Sequence, residues 1–139
     1  MADEDKAKAS SGARTPGAVR AQPGRYLYEL ARIDPIMGGP AYSTAEGVCV
    51  EGDKMMIALM RMPKGTGAVA HSHPNEQWIY ILEGTFHATV GGVKHQVPAG
   101  SVLYIPSNTL HEGKAGDDAD VLFFTCKDTS HSLHGIKAA

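Results

Sequence analysis

The chain has 139 residues, is 42% hydrophobic and carries a net charge of −2, which suits one ordinary domain with a packed core. Acidic and basic residues are mixed along it, leaving no electrostatic case for nucleic acid or an anionic membrane, and no apolar run approaches the roughly 18–20 residues of a membrane span. The acidic opening Asp3-Glu4-Asp5 is expected of a cytoplasmic protein without a secretory leader, and Cys49 and Cys126 are expected to be buried small hydrophobes and not a disulfide framework.

Residues 1–24 contain no Leu, Ile, Phe, Tyr or Trp, so they are expected to form a flexible tail. The folded domain is expected over residues 25–139, beginning where Tyr26, Leu27, Tyr28 and Leu30 come together. From there short β-branched, aromatic or Met-rich runs alternate with Gly and Pro punctuation. The pattern predicts strands near Ser43–Val50, Lys54–Met62, Gly67–His73, Gln77–Leu82, Phe86–Val90, Lys94–Val97, Ser101–Ile105, His111–Lys114 and Asp120–Cys126. Turn residues separate them, as at Glu83-Gly84 and Gly91-Gly92. Beyond Thr129 the closing segment is weakly apolar and is expected to fray or pack loosely. Many short strands without a helical period predict an all-β sandwich or barrel. The Met-rich strand Met56–Met62 reads as an adaptable apolar wall.

Of the seven histidines, three stand where a metal ion would need them. Side chains alternate across a strand, so His71 and His73 share a face about 7 Å apart. Pro74-Asn75 allows a turn, after which Gln77 or Glu76 returns toward the same point. His111 opens a later strand, after Pro106 and Asn108. Imidazole serves Fe, Mn, Ni, Cu and Zn alike and selects none of them. An isolated His-x-His pair is more often a polar surface, so the wider pattern has to decide.

That pattern resembles the cupin superfamily. The first motif, G-x5-H-x-H-x3-E-x6-G, is matched over residues 65–84 by Gly65, His71, His73, Gln77 and Gly84. The second, G-x5-P-x-G-x2-H-x3-N, is matched over residues 100–115 by Gly100, Pro106, Asn108, His111 and Ala115. Fifteen residues separate the motifs, and with flanking strands the resemblance covers roughly residues 40–127. It implies a double-stranded β-helix, or jelly-roll barrel. It also implies one divalent metal ion on His71, His73, Gln77 and His111, with two adjacent coordination positions open. Three positions depart from the pattern. Asn108 replaces a turn glycine and tolerates a left-handed backbone. Ala115 replaces an Asn that is not a ligand. Gln77 replaces the usual Glu and so removes a negative charge from the ligand set.

Three imidazoles and an amide leave a 2+ ion uncompensated, which favours a small anionic, chelating substrate. An oxygenase cleaving a C–C bond of a chelated enolate or diketonate is therefore placed first. The segment from Met55-Met56 through HSHPNEQWIYILEG is also similar to small cupins that open cyclic unsaturated uronates, which makes a non-redox isomerase or lyase the alternative. A binding module without turnover is the third. Arg61 and Tyr80 are the candidate catalytic residues, with Tyr104 beside them, all expected to line or flank the barrel mouth. Arg61 has the best claim on an anion. Glu76 is expected to turn away from the metal, His87 to occupy a polar core or rim position and His95 to be solvated. His131 and His134 are not expected to be ligands. The family also implies a homodimer paired through sheet edges.

Overall fold

The computed structural model describes residues 12–139. Twelve strands form two sheets: β1 (Val19–Arg20), β2 (Ile36–Met37), β3 (Glu46–Glu51), β4 (Met55–Met62), β5 (Gly67–Ser72), β6 (Gln77–Glu83), β7 (Thr85–Val90), β8 (Val93–Pro98), β9 (Val102–Ile105), β10 (His111–Ala115), β11 (Val121–Asp128) and β12 (Ile136–Lys137). The first sheet runs β1-β3-β4-β11-β6-β9, with β2 also on β3; the second runs β12-β5-β10-β7-β8. The only helical element among the described residues is a 3-10 turn at Leu30–Arg32. This is the expected all-β jelly-roll.

Alternation within strands builds the core. In β4 the side chains of Met56, Ala58, Met60 and Met62 are buried, and in β6 those of Gln77, Ile79 and Ile81. They pack with Phe86, Ala88, Leu103, Ile105 and Ala115 between the sheets. The Met-rich strand thus lines the interior, as its period of two required. Gly84 closes the β6–β7 turn at φ 81°, and a Cβ there would lie 2.3 Å from the Asp120 carbonyl oxygen, so only glycine fits. Asn108 takes the left-handed backbone expected of it, at φ 59°, and its N–H donates to the His73 carbonyl, tying the second motif to the first.

Both chain ends differ from expectation. Of the tail expected over residues 1–24, residues 1–11 lie outside the described residues. Residues 12–24 are packed on the barrel: Thr15, Ala18 and Val19 are buried, and β1 pairs in parallel with β3. The physical reason is both apolar and polar: Ala18 joins the main core, Val19 packs with Ile33, Val48 and Val50, and Glu51 fastens the backbone. Both Glu51 carboxylate oxygens accept backbone N–H groups, from Arg14 at 2.7 Å and Thr15 at 2.9 Å. The closing segment is also tied down. Leu133 is buried, its N–H donates to Thr15 Oγ1, and β12 pairs with β5. Asn75 Nδ2 sits within hydrogen-bond reach of the carbonyls of Asp128, His131 and Ser132.

Candidate metal centre

Three imidazoles converge where the two sheets meet. His71 on β5 and His111 on β10 are paired in register, and His73 follows β5 by one residue on the same face. Ring centroids are 4.1 Å apart for His71 and His111 and 4.9 Å for His73 and His111. One ligand nitrogen from each lies within 4.8 Å of the others, so the three form a group able to hold one metal ion. Gln77, the first residue of β6, approaches from the other sheet.

Hydrogen bonds fix where every proton sits. Nδ1 of His71, His73 and His111 lies 2.7, 2.9 and 2.8 Å from the carbonyl oxygens of Val69, Asn75 and Thr109. A carbonyl has no proton to give, so each Nδ1–H donates and each neutral ring keeps a lone pair on Nε2. The rings are neutral at pH 7. Burial is the main cause, lowering His71 from 6.5 to about 4, His73 to about 3 and His111 in the same direction; the Lys127 charge adds to it in all three.

The glutamine is oriented in the same way. Gln77 Nε2 donates to Thr125 Oγ1 at 2.8 Å, and that hydroxyl gives its one proton to the Trp78 carbonyl, also at 2.8 Å. The amide oxygen is thereby turned to the centre, 3.0 Å from His73 Nε2. With Nδ1 carrying the ring proton, these two atoms are both acceptors and repel unless a cation lies against both. Two ligands at right angles on one ion, with bonds of about 2.1 Å, stand about 3.0 Å apart. The residues fit a bound divalent metal ion.

His71, Gln77 and His111 border a cavity of about 70 Å³, which has room for a small organic acid. Met60, Met62, Ile79, Leu103 and Phe123 give it apolar walls. Tyr42 covers one side, stacked on His71 at 4.0 Å between centroids, with its hydroxyl accepting the Gly135 N–H at 2.6 Å. Burial pushes its pKa up, so it keeps its proton. Lys127 also lines the cavity. It is buried, and its pKa is lowered from 10.5 to about 7 by desolvation.

Other residues stand where their strand parity puts them. Arg61 and Tyr80, expected at the barrel mouth, are on the outer face. Inward neighbours Met60, Met62, Ile79 and Ile81 flank them. Arg61 pairs at the surface with Glu83 at 3.6 Å and Asp120 at 3.4 Å. Tyr104 is also outside, donating its hydroxyl to Glu76, which turns away from the metal ligands as alternation requires. His87 is exposed and does not occupy the core; His95 is exposed too. His131 and His134 lie outside the ligand group. Cys49 is buried, with its thiol pushed up to about 12 by burial, and is inert at neutral pH; Cys126 is half-buried, and both are free. The sequence reading missed Lys127 and Thr125. Alternation over Val121–Asp128 carries the signal, because it puts both on one face with the apolar Val121 and Phe123.

A two-sheet β-barrel with an inward His-x-His pair and a third histidine from a later strand defines the cupin class. A cupin-domain family model matches residues 58–126, which contain all four candidate ligands. The chain belongs to the cupin superfamily. It is 28% identical over 109 residues to dimethylsulfoniopropionate lyase DddW of Ruegeria pomeroyi, covering 70% of this chain and 72% of that one. Among solved structures it resembles a cupin protein from Bacteroides fragilis, with 27% identity, a TM-score of 0.50 and coverage of 54% of this chain and 65% of that one. It also resembles the dimethylsulfoniopropionate lyase DddQ of Ruegeria pomeroyi, with 21% identity, a TM-score of 0.52 and coverage of 57% and 40%, a likeness of fold alone. No helix among the described residues is long and apolar enough to cross a membrane.

Proposed function

We propose that the chain is a metal-dependent enzyme that takes a small anionic, chelating substrate and cleaves it by non-redox, lyase-type chemistry. His71, His73, Gln77 and His111 hold one divalent ion in this reading. The observation that carries it is the charge of the site: four neutral ligand atoms, no carboxylate in the ligand group, and a lysine in the same cavity. Such a centre favours an anion over a neutral molecule.

When bound, the metal supplies Lewis-acid polarisation of the substrate oxygens that it holds. The protein's own residues do the rest. The Val69, Asn75 and Thr109 carbonyls hold the imidazoles in one tautomer, Thr125 holds the Gln77 oxygen inward, and the apolar walls exclude water from the reacting end. In an elimination, a base takes a proton from the carbon next to the anionic group, the C–H bonding pair becomes the new C=C bond, and the leaving group departs from the following carbon with its own bonding electrons. No oxidant is needed. The similarity to DddW, itself named a lyase, supports this class over the oxygenase that the sequence alone placed first.

The test is to load the metal-free protein with Fe(II), Mn(II), Ni(II) or Zn(II) under argon and offer dimethylsulfoniopropionate, unsaturated uronates and diketones, then admit O2. Turnover with Zn(II) or Ni(II) and no O2 uptake supports the lyase reading. Turnover only with a redox metal and with O2 consumption would replace it by the oxygenase. Stoichiometric metal binding without turnover across this set would leave a binding module.

We also propose that two copies pair through the outer face of β6, β9 and β11. Free cysteines suit the reducing cytoplasm, which supports the location expected from the sequence.

A further inference from the structure

Lys127 is a buried lysine whose side chain borders the cavity beside the candidate metal ligands. It sits on the inward face of β11, one strand from the metal ligands: its Cα is paired in register with Gln77 on one side and Met56 on the other. Continuing the row, Met56 pairs with Glu51. The backbone of Glu51 therefore lies two strands from that of Lys127, about 9.5 Å at ordinary sheet spacing, and no ion pair joins their side chains. The Glu51 carboxylate oxygens are taken by the Arg14 and Thr15 amides. Among the described residues Lys127 has no ion-pair partner. Nζ donates one hydrogen bond, to the Leu133 carbonyl at 2.7 Å. An ammonium has three protons to donate, and the side chain borders the cavity that the metal ligands open into.

A buried, unpaired ammonium is costly to maintain, and replacing it with an apolar residue of similar volume is commonly neutral or stabilising. The fold gains little from this one: its single bond to Leu133 duplicates a fastening that Thr15 already gives that segment.

We infer that Lys127 is the carboxylate-recognition residue of the cavity, donating its two spare protons to the carboxylate of a small acid whose other end lies at the metal ligands. This rests on the proposed metal-dependent function and narrows its substrate class from anions to compact carboxylates. Lys127 is then a specificity-determining group, and the apolar walls around it accept the short carbon chain between its two polar ends.

The test uses full-length wild type, Lys127→Met and Lys127→Gln, each loaded with Zn(II) and assayed first for metal content. Gln keeps a donor in place for the Leu133 carbonyl if Met perturbs folding. Calorimetric titration then compares propionate with its neutral isostere propionamide. Wild type is expected to prefer propionate at least tenfold, and both variants to keep the metal and lose that preference. A merely structural lysine would change melting temperature without changing discrimination between acid and amide. Variants that keep Zn(II) and still prefer propionate as wild type does would overturn the inference while leaving the metal centre intact. A wild type with no preference for propionate would overturn it as well. If wild type binds no Zn(II), the metal reading fails, and the same comparison on metal-free protein still decides the role of Lys127.

Discussion

At the scale of single residues, the candidate centre depends on groups outside its ligand set. Thr125 decides which atom of the Gln77 amide faces inward. Thr125→Val removes that acceptor and frees the amide to rotate, so metal affinity is expected to fall about tenfold or more, measured by competition with a chelator. Unchanged affinity would mean that Gln77 is not a ligand. The histidines give the protein a pH dependence of definite sign. Their folded pKa values, about 4 for His71 and about 3 for His73, lie below the ordinary 6.5. Between those limits the unfolded chain binds more protons than the folded one, so the histidines' contribution to metal-free stability is complete above pH 6.5 and is lost as pH falls toward 4 and below. Urea midpoints of chelator-treated protein from pH 7.5 to 4.5 should decline accordingly; a flat profile would contradict neutral, buried rings. The three histidines were legible because family spacing and strand parity agree on them. For Thr125 and Lys127 alternation gives only the inward face, while their importance arises across strands from a Gln77 contact and from a cavity that no local pattern encodes.

At the scale of elements, every strand expected between residues 43 and 126 is present, with ends shifted by a few residues. Alternation and Gly/Pro punctuation are local signals and survive the loss of tertiary context. The added strands β1, β2 and β12 have two residues each, too short to show a period, and they exist because a neighbouring strand offers its edge. Arg61 and Tyr80 were misplaced for a different reason, since their strands are long enough to show alternation. Both were assigned by their chemistry, whereas the buried Met60, Met62, Ile79 and Ile81 on either side already set their parity outward. The N-terminal segment is held by Glu51, and Glu51→Ala should cost about 2 kcal/mol or more by leaving the Arg14 and Thr15 amides without their carboxylate. Chemical denaturation checks this, and a loss well under 1 kcal/mol would show that the segment needs no such fastening. Where β3 crosses β4, a Cβ at Gly47 would lie 1.9 Å from the Leu59 carbonyl oxygen. Gly47→Ala should therefore destabilise by at least about 2 kcal/mol through forced separation of the strands, and an unchanged denaturation midpoint would contradict that packing.

At the scale of the whole molecule, the two sheets present different outer faces. Outside β6, β9 and β11 stand Trp78, Tyr80, Leu82, Val102, Tyr104 and Phe124, each 36–58% exposed. A contiguous apolar face of this kind marks an interaction surface. It adjoins β9, the terminal strand of its sheet, whose far edge has no partner among the described strands. A second copy related by a two-fold axis would cover both the face and the edge, since the same strand on each chain supplies the matching donors and acceptors. Sedimentation should give a dimer for wild type and a monomer for Val102→Lys, with metal content unchanged; a monomeric wild type would remove the proposed pairing. The centre itself lies inside one barrel and is built by one chain. Metal analysis of the purified, dialysed protein, without added metal, beside His73→Ala and His111→Ala, addresses that centre most directly. One metal ion per wild-type chain, and almost none in either folded variant, is the expected result. Variants that keep the wild-type metal content, or a wild type that holds none even after loading, would contradict it.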